Sequence, residues 1–584
     1  MKGYDRYPAK KVGNTKGSVH KGEISILERL RSDLCGDSQT LVLETYPGVS
    51  EGEITKLVRS LSPDLTVSAS DMLLGPEKMQ PLLAEILTED RVFARMYRGE
   101  LSDFADPERK KALEEKIRSS PGRTVVWGFG ASLLCADLLR EKSGDGKRKA
   151  LLVYCDITRW EIQLRLRSGM SNALSDDPEE DILKKYKQGY FLEWRLADRI
   201  KEKCLKEMDY YLDCSRDGDF VMITRELFDR ILDQEVSGPF RLVPYFDPGV
   251  WGGQWMKKVC GLDPSAPNYA WSFDGVPEEN SLLFDLEGTV LEMPAMNLTL
   301  MRPRELLGKR VFEAYGAEFP IRFDFLDTMG GQNLSLQVHP TREYIASEFG
   351  MAYTQDESYY ILDAGEGACV YLGLKEDADG EEMFRALRRA QEGEEVFDAE
   401  RYVNRIPASK HDHFLIPAGT VHCSGKNAMV LEISATPFIF TFKLWDWGRL
   451  GMDGKPRPIN IERGEKVLQE RRTAWVMENL VNRIQVLRKE NGFTEERTGL
   501  HPLEPIETRR WSIEEGESVR VSCRGSVNML NLVEGDACMV ESTDGSFPPF
   551  EVHYAETFIV PASAGEYRLR AAGGPVRVMQ AFVR

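Results

Sequence analysis

The sequence has 584 residues, and at roughly 150 residues per domain this length indicates about four domains. Lys and Arg number 76 against 94 Asp and Glu, so the net charge of −18 argues against nucleic acid or anionic membrane surfaces as partners. The hydrophobic fraction of 42% and the charged fraction of 29% are typical of a globular protein, which excludes disorder for most of the chain.

The cellular location is predicted from the absence of targeting and anchoring signals. No stretch reaches the roughly 18 uncharged apolar residues that a membrane helix requires. Residues 1–23 are basic and polar, unlike the apolar core of a secretory signal. The ten cysteines are scattered without a Cys-x-x-Cys pair, which favours a reducing compartment over a disulfide framework. We therefore predict a cytoplasmic protein that spans no membrane.

Residues 1–238 are predicted to form an α/β domain, because short apolar runs alternate with longer segments of helical periodicity. Such alternation is typical of a parallel sheet covered by helices. Two interpretations of its role remain open. Gly128-Phe-Gly130 does not complete a phosphate-binding loop. The segment Asp156–Arg159, with Arg165 further on, resembles a nucleoside-kinase-like layout that has lost this loop, but we favour a structural or regulatory domain. The predicted strands are Thr40–Glu44, Thr124–Trp127, Ala150–Tyr154 and Phe220–Thr224.

The rest of the chain is predicted to be mainly β, in two domains. Residues 239–465 contain many short strands, Phe284–Met293 among them, punctuated by Gly, Pro and Asn, which favours an antiparallel sandwich or jelly roll. One helical insertion is expected at about 379–404. Residues 466–584 are predicted to open with a helical stretch to about residue 491 and then to form a smaller β domain.

A candidate metal site lies in the first of these β domains. The chain has only seven histidines, and four of them fall between residues 339 and 422. Gln337 and His339 are two apart and share one face of a strand, while Glu357 and His422 follow at the starts of later strands. Two imidazoles, a carboxylate and an amide oxygen suit a divalent ion, most often zinc, with a position left open. His411 and His413 flank a loop aspartate, so we place both outside the site.

These residues belong to a longer series of motifs that resembles a known family. The blocks are Val250–Gly253, Leu334–Pro340, Glu357, Ile416–His422, Leu444–Arg449 and Asp453–Arg457. In their order and spacing, these blocks resemble the type I mannose-6-phosphate isomerases, zinc enzymes of the cupin superfamily, over about residues 240–584. The resemblance implies a cupin jelly roll, a smaller cupin-like β domain and one zinc ion per chain.

The resemblance also implies roles for individual residues. It assigns Gln337, His339, Glu357 and His422 as zinc ligands. Arg449 matches the arginine usually assigned to catalysis. Outside such a motif, the simpler role for this arginine is a salt bridge with the nearby Asp446.

The implied function is a zinc-dependent aldose–ketose isomerase that interconverts mannose 6-phosphate and fructose 6-phosphate, with a small-molecule sugar phosphate as its partner. Several charged residues of the family are absent here, and lysines beside a sugar phosphate bind its dianion or assist proton transfer. The alternative is therefore a metal-bearing cupin that binds a sugar or sugar phosphate as a sensor or regulator, or that isomerises a different sugar. The departures are Trp255, Tyr269, Asp324 and Gln355.

Overall fold

The chain forms two compact units. The computed structural model describes residues 3–34, 40–141, 150–435, 440–452, 454, 457, 459–499 and 501–584. The first unit, here called the α/β unit, consists of Ala9–Gln234 together with Ser281–Met301. The second, here called the β-rich unit, consists of Met1–Pro8, Glu235–Asn280 and Arg302–Arg584. The predicted domain boundaries at residues 238 and 465 stay predictions.

The α/β unit is built on a seven-stranded sheet in which five neighbouring strands are parallel and two antiparallel strands form one edge. The interior strand Thr40–Thr45 is buried on both faces, as Leu41, Val42 and Leu43 show no exposure, and this favours apolar runs over alternation. All four predicted strands lie in this sheet. Across the sheet the strands are Val19–Lys21, Val221–Thr224, Tyr210–Asp213, Ala150–Asp156, Thr40–Thr45, Thr124–Gly128 and Leu65–Ser68.

Helices connect these strands, and their starts follow ordinary capping chemistry. The Asp106 side chain accepts hydrogen bonds from the Glu108 and Arg109 amides, and proline occupies the first helical position. One π-helical turn, Gly189–Glu193, joins two α-helices. The α-helices are Gly22–Asp33, Glu51–Leu61, Pro76–Leu87, Pro107–Ser119, Ala131–Leu134, Ala136–Arg140, Arg159–Arg167, Ile182–Gln188, Trp194–Glu207, Arg225–Val236 and Met296–Met301. The 3₁₀ turns are Ala69–Met72 and Leu101–Phe104.

Residues 281–301 belong to the α/β unit although they follow its other residues by almost fifty positions. The single strand predicted over Phe284–Met293 was wrong. Ser281–Leu286 and Thr289–Pro294 form a hairpin instead, because Glu287 and Gly288 both adopt positive φ, 54° and 97°. The first hairpin strand also pairs in parallel with Ala9–Lys11.

A buried polar cluster ties this segment to the end of a sheet strand. The Asp156 carboxylate forms an ion pair with the ammonium of Lys201 at 2.9 Å. It also accepts hydrogen bonds from the Tyr211 hydroxyl and the Asn297 side-chain amide, both at 2.9 Å. Asp156 and Asn297 have no exposed surface, so each donor compensates part of the cost of burying the carboxylate.

Asn297→Ala is expected to lower the free energy of unfolding by about 1–3 kcal/mol, because Asp156 loses a donor in a site that water does not reach. Chemical denaturation of the full chain, followed by circular dichroism, measures this change. The matched control is Asn479→Ala, since the Asn479 amide donates to the Trp475 carbonyl on an exposed surface. Equal effects of the two variants would show that the 281–301 segment does not stabilise the unit through this amide.

The metal-site candidates lie in two antiparallel sheets of the β-rich unit. Across the six-stranded sheet the strands are His413–Ile416, Glu357–Ala364, Ala428–Ser434, Arg322–Asp327, Trp271–Gly275 and Tyr245–Asp247. Across the five-stranded sheet they are Val403–Pro407, Cys369–Leu374, His422–Ser424, Leu336–Val338 and Phe442–Trp445. The helices of this unit are Trp255–Val259, Pro303–Leu307, Lys309–Tyr315, Arg342–Phe349, Gly380–Gln391, Ala399–Tyr402, Ile461–Val467 and Thr473–Asn479.

Two further antiparallel sheets follow. The helical stretch predicted to about residue 491 ends at Asn479, and Gln485–Glu490 is a strand that turns at Asn491-Gly492 into its partner. An Asn-Gly pair is a hairpin signal, and Gly492 has the positive φ, 89°, that such turns use. None of the described helices is long and apolar enough to cross a membrane. The strands are Gln485–Glu490, Phe493–Gly499, Ile506–Ile513, Val576–Val583, Asn528–Glu534 and Thr557–Val560 in one sheet, and Ser518–Ser522, Glu566–Ala572, Ala537–Ser542 and Phe550–His553 in the other.

Candidate metal centre

Three of the predicted metal ligands meet inside the β-rich unit. His339 directly follows the strand Leu336–Val338, whereas Glu357 and His422 each begin a strand. Ligand atoms from these three side chains lie within 4.8 Å of one another, and within the described ranges no other group of three His, Cys, Asp or Glu does so. All three are buried, with exposures of 0 to 2%.

The carboxylate of Glu357 lies between the two imidazoles. Its Oε2 atom is 3.0 Å from Nε2 of His339, and its Oε1 atom is 2.8 Å from Nε2 of His422. Burial by itself lowers the pKa of His339, but the Glu357 carboxylate outweighs burial and raises that pKa above its ordinary value. For Glu357 the directions are reversed. Burial raises the pKa of Glu357, but the two imidazoles outweigh the effect of burial and bring that pKa well below its ordinary value.

The other ring nitrogens show how this group fits a metal. Nδ1 of His339 lies 2.7 Å from the Phe440 carbonyl, and Nδ1 of His422 lies 2.8 Å from the Thr420 carbonyl. Because a carbonyl only accepts, both Nδ1 atoms carry hydrogen, and in neutral imidazole the Nε2 lone pairs then face the carboxylate. Such facing acceptors require a proton or a cation between them, and the nitrogen and oxygen donors suit zinc.

Gln337 joins the same cluster. It is the cross-strand partner of His422, and its Nε2 atom lies 3.2 Å from Nε2 of that histidine. The structure therefore brings the four side chains together, with the amide nitrogen of Gln337 as the atom that contacts His422. His411 lies elsewhere, with Nδ1 at 2.7 Å from the Tyr360 hydroxyl.

Arg449 is engaged with neighbouring groups and not with the four ligands. Its Nη2 atom lies 2.5 Å from Oδ1 of Asp446, and its Nη1 atom donates to the Asn333 carbonyl at 2.7 Å. Asp446 also pairs with Arg457 at 2.8 Å and accepts from the Ser335 hydroxyl. The salt bridge that the sequence left open as an alternative for Arg449 is thus present. The rest of the Asp453–Arg457 motif, apart from Gly454, lies outside the described residues.

The two halves of the chain resemble different groups of known proteins. Residues 22–237 match a family model described as a domain of unknown function, DUF8485. A mannose-6-phosphate isomerase of Streptococcus mutans is 29% identical over 235 residues, which cover 40% of this chain and 68% of that protein. A mannose-6-phosphate isomerase of Bacillus subtilis is 25% identical over 232 residues, with the same two coverages, 40% and 68%. The chain resembles the mannose-6-phosphate isomerases.

The resemblance predicted from the motifs is therefore confirmed. Among solved structures, a mannose 6-phosphate isomerase from Bacillus subtilis aligns with a TM-score of 0.47 at 19% identity, covering 59% of this chain and 99% of that chain. A zinc-bound mannose 6-phosphate isomerase aligns with a TM-score of 0.45 at 13% identity, covering 59% and 99%.

Asp324, one of the departures from the isomerase pattern, lies beside the cluster. Strand register puts Arg322 and Glu357 opposite the same residue, Ser434, so these residues share one sheet face. Asp324 and Glu432 lie on that face two positions further along. Burial raises the pKa of Asp324 to about 7, although Arg322, whose Nη2 is 3.5 Å away, lowers it.

Two other departures have structural partners away from the ligands. The indole of Trp255 donates to the Asp363 carboxylate at 3.0 Å. Tyr269 pairs through its backbone with Gly253 and packs edge-on against Phe246. Tyr269 therefore supports the turn near Gly253, whereas Trp255 is bonded to Asp363, and these contacts do not involve the four predicted ligands.

Sequence reasoning missed two charged residues near the ligands. Glu432 is a lone acid in the otherwise apolar strand Ala428–Ser434, a signal that was available in the sequence. Lys443 is the cross-strand partner of Gln337. Burial lowers the pKa of Lys443 to about 7, with Arg457 and Arg449 adding to the effect. The sequence marks Lys443 only as one lysine in an apolar run.

Proposed function

We propose that this chain is a zinc-dependent aldose–ketose isomerase that interconverts mannose 6-phosphate and fructose 6-phosphate, with one zinc ion per chain. The observation that carries the proposal is the arrangement of His339 and His422, whose Nε2 atoms both face the Glu357 carboxylate. The relatives named mannose-6-phosphate isomerase support a sugar phosphate as substrate. We assign Gln337 as the fourth ligand and Arg449 as the catalytic residue.

The fold and location belong to the same proposal. The two antiparallel sheets that carry the ligands support a cupin jelly roll, and the two later sheets support a smaller cupin-like β domain. The nine cysteines in the described ranges are all free and buried, which supports a reducing compartment such as the cytoplasm.

The proposed reaction moves a proton between C1 and C2 through an enediolate, whose oxygen carries negative charge that must be stabilised where it forms. Zinc bound at this site would supply a Lewis acid for that oxygen. The face that carries Asp324 and Glu432 is buried, so it would exclude water, and these two side chains would offer hydrogen-bond partners to sugar hydroxyls. Arg449 remains protonated at all relevant pH values and is assigned to the enediolate charge.

A second function, a metal-bearing sugar sensor, is favoured by specific features. Asp324 and Gln355 stand at positions where the resemblance implies lysine, so the face beside the ligands carries less positive charge than a phosphate dianion prefers. The Arg449 guanidinium is also paired with Asp446. A sensor needs the metal and the sugar contacts but not a residue that stabilises the enediolate.

A coupled assay for fructose 6-phosphate, formed from mannose 6-phosphate, tests the two functions. Zinc-loaded protein is expected to form the product, and protein stripped by a chelator is expected to lose activity and regain it when zinc is added back. If zinc-loaded protein binds mannose 6-phosphate in calorimetry but does not isomerise it, the proposal of an isomerase is wrong and the sensor is the better assignment.

A further inference from the structure

Besides a long contact of 3.5 Å from its Nε2 atom to Oε1 of Glu432, Gln355 makes two hydrogen bonds that connect it to the candidate metal centre. This side chain is only 2% exposed and lies two residues before Glu357. Its Nε2 atom donates to Oε2 of Glu357 at 2.8 Å, and its Oε1 atom accepts from the Phe440 backbone amide at 3.0 Å. The carboxylate only accepts and the backbone N–H only donates, so these partners determine the orientation of the amide.

These two hydrogen bonds complete a closed series of contacts from Gln355 to Glu357, His339, Phe440 and back to Gln355. Two of these residues, Glu357 and His339, are candidate ligands. The Phe440 carbonyl accepts from Nδ1 of His339 at 2.7 Å, while Nε2 of that histidine faces the same Glu357 oxygen that Gln355 contacts. One end of the Gln355 amide therefore holds the carboxylate. The other end accepts from the backbone N–H of Phe440, the residue whose carbonyl sets the tautomer and the ring orientation of His339.

We propose that Gln355 is a positioning residue of the metal centre, which orients Glu357 directly and His339 through the backbone of Phe440. This inference rests on the proposed function, since it requires that the centre bind a metal. The lysine implied by the resemblance at this position can donate to Glu357 but has no acceptor for the Phe440 N–H. A glutamate accepts that N–H but adds a second negative charge beside Glu357. The amide alone meets both requirements.

Two substitutions in the full-length protein separate the proposed role from general packing. Gln355→Met keeps the approximate shape and removes every hydrogen bond of the amide, and Gln355→Lys keeps only a donor. Both are expected to weaken zinc binding by about 10- to 100-fold, the usual cost of losing an outer partner of a metal ligand. Competition with a chromophoric chelator at one pH measures the dissociation constant. The visible spectrum of Co²⁺-loaded protein is expected to shift in both variants, because ligand orientation changes.

The matched control is Gln188→Met in the α/β unit. Gln188 is also buried and donates to a carboxylate, Glu193, at 2.9 Å, so its loss has a similar structural cost with no link to the ligands. Its zinc affinity and Co²⁺ spectrum are expected to match the wild type. If the wild type binds zinc and both Gln355 variants bind it equally tightly with unchanged spectra, the positioning role is wrong while the proposed function stands. If the wild type binds no zinc, the proposed function itself fails.

Discussion

His422→Ala is expected to abolish stoichiometric zinc binding. The substitution removes one of the two imidazole Nε2 atoms that face Glu357, and it leaves the buried carboxylate with one imidazole instead of two. Zinc sites in proteins depend on three or four such donors, so the loss should exceed the roughly 10- to 100-fold effect of an outer-shell change. Elemental analysis of purified protein should show about one zinc per wild-type chain and very little in the variant.

His339→Ala should have the same effect, because His339 supplies the other imidazole. His411→Ala is the control, since His411 contacts Tyr360 away from the ligands and its loss should leave zinc content unchanged. Full zinc content in both the His339 and His422 variants would show that the site has been placed wrongly. Circular dichroism of each variant distinguishes loss of the ligand from loss of the fold.

Arg449→Ala is expected to lower turnover by roughly 10² to 10³, which corresponds to about 3–4 kcal/mol of transition-state stabilisation. An arginine beside the reacting carbons interacts more strongly with an enediolate than with neutral hydroxyls, so the loss should fall on kcat more than on KM. Zinc content should not change, because Arg449 contacts Asp446 and Asn333 and none of the four proposed ligands. Steady-state kinetics with mannose 6-phosphate measures the effect.

A loss of turnover in Arg449→Ala could also come from losing the salt bridge to Asp446, and this structural explanation can be tested. Asp446 keeps Arg457 and the Ser335 hydroxyl as partners when Arg449 is removed, so the fold should persist. Asp446→Asn frees the guanidinium from its counter-charge and should lower turnover less than Arg449→Ala if the arginine acts on the substrate. Unchanged turnover in Arg449→Ala would remove the catalytic assignment. Arg405→Ala, at an exposed arginine, serves as the matched control.

In the α/β unit, local sequence patterns locate individual strands but do not show which distant segments of the chain belong to the unit. Apolar runs such as Thr40–Thr45 located four strands, because strands buried on both faces require consecutive apolar residues. No local pattern indicates that Asn297 donates to Asp156, 141 residues earlier. That partnership depends on the hairpin that Glu287 and Gly288 create, and an apolar run without a recognised turn was interpreted as one strand.

The candidate ligands could be named from the amino-acid sequence alone. Gln337 and His339 lie two residues apart, and Glu357 and His422 follow at the starts of strands, so local spacing and motif order were sufficient to name them. The hydrogen-bond partners that orient these ligands, by contrast, are seen only in the folded chain. The Phe440 carbonyl bonds His339 across 101 residues, and the Phe440 amide bonds Gln355 across 85. Backbone groups carry no residue-specific signal, so their partners are known only when the strands that bear them are brought together.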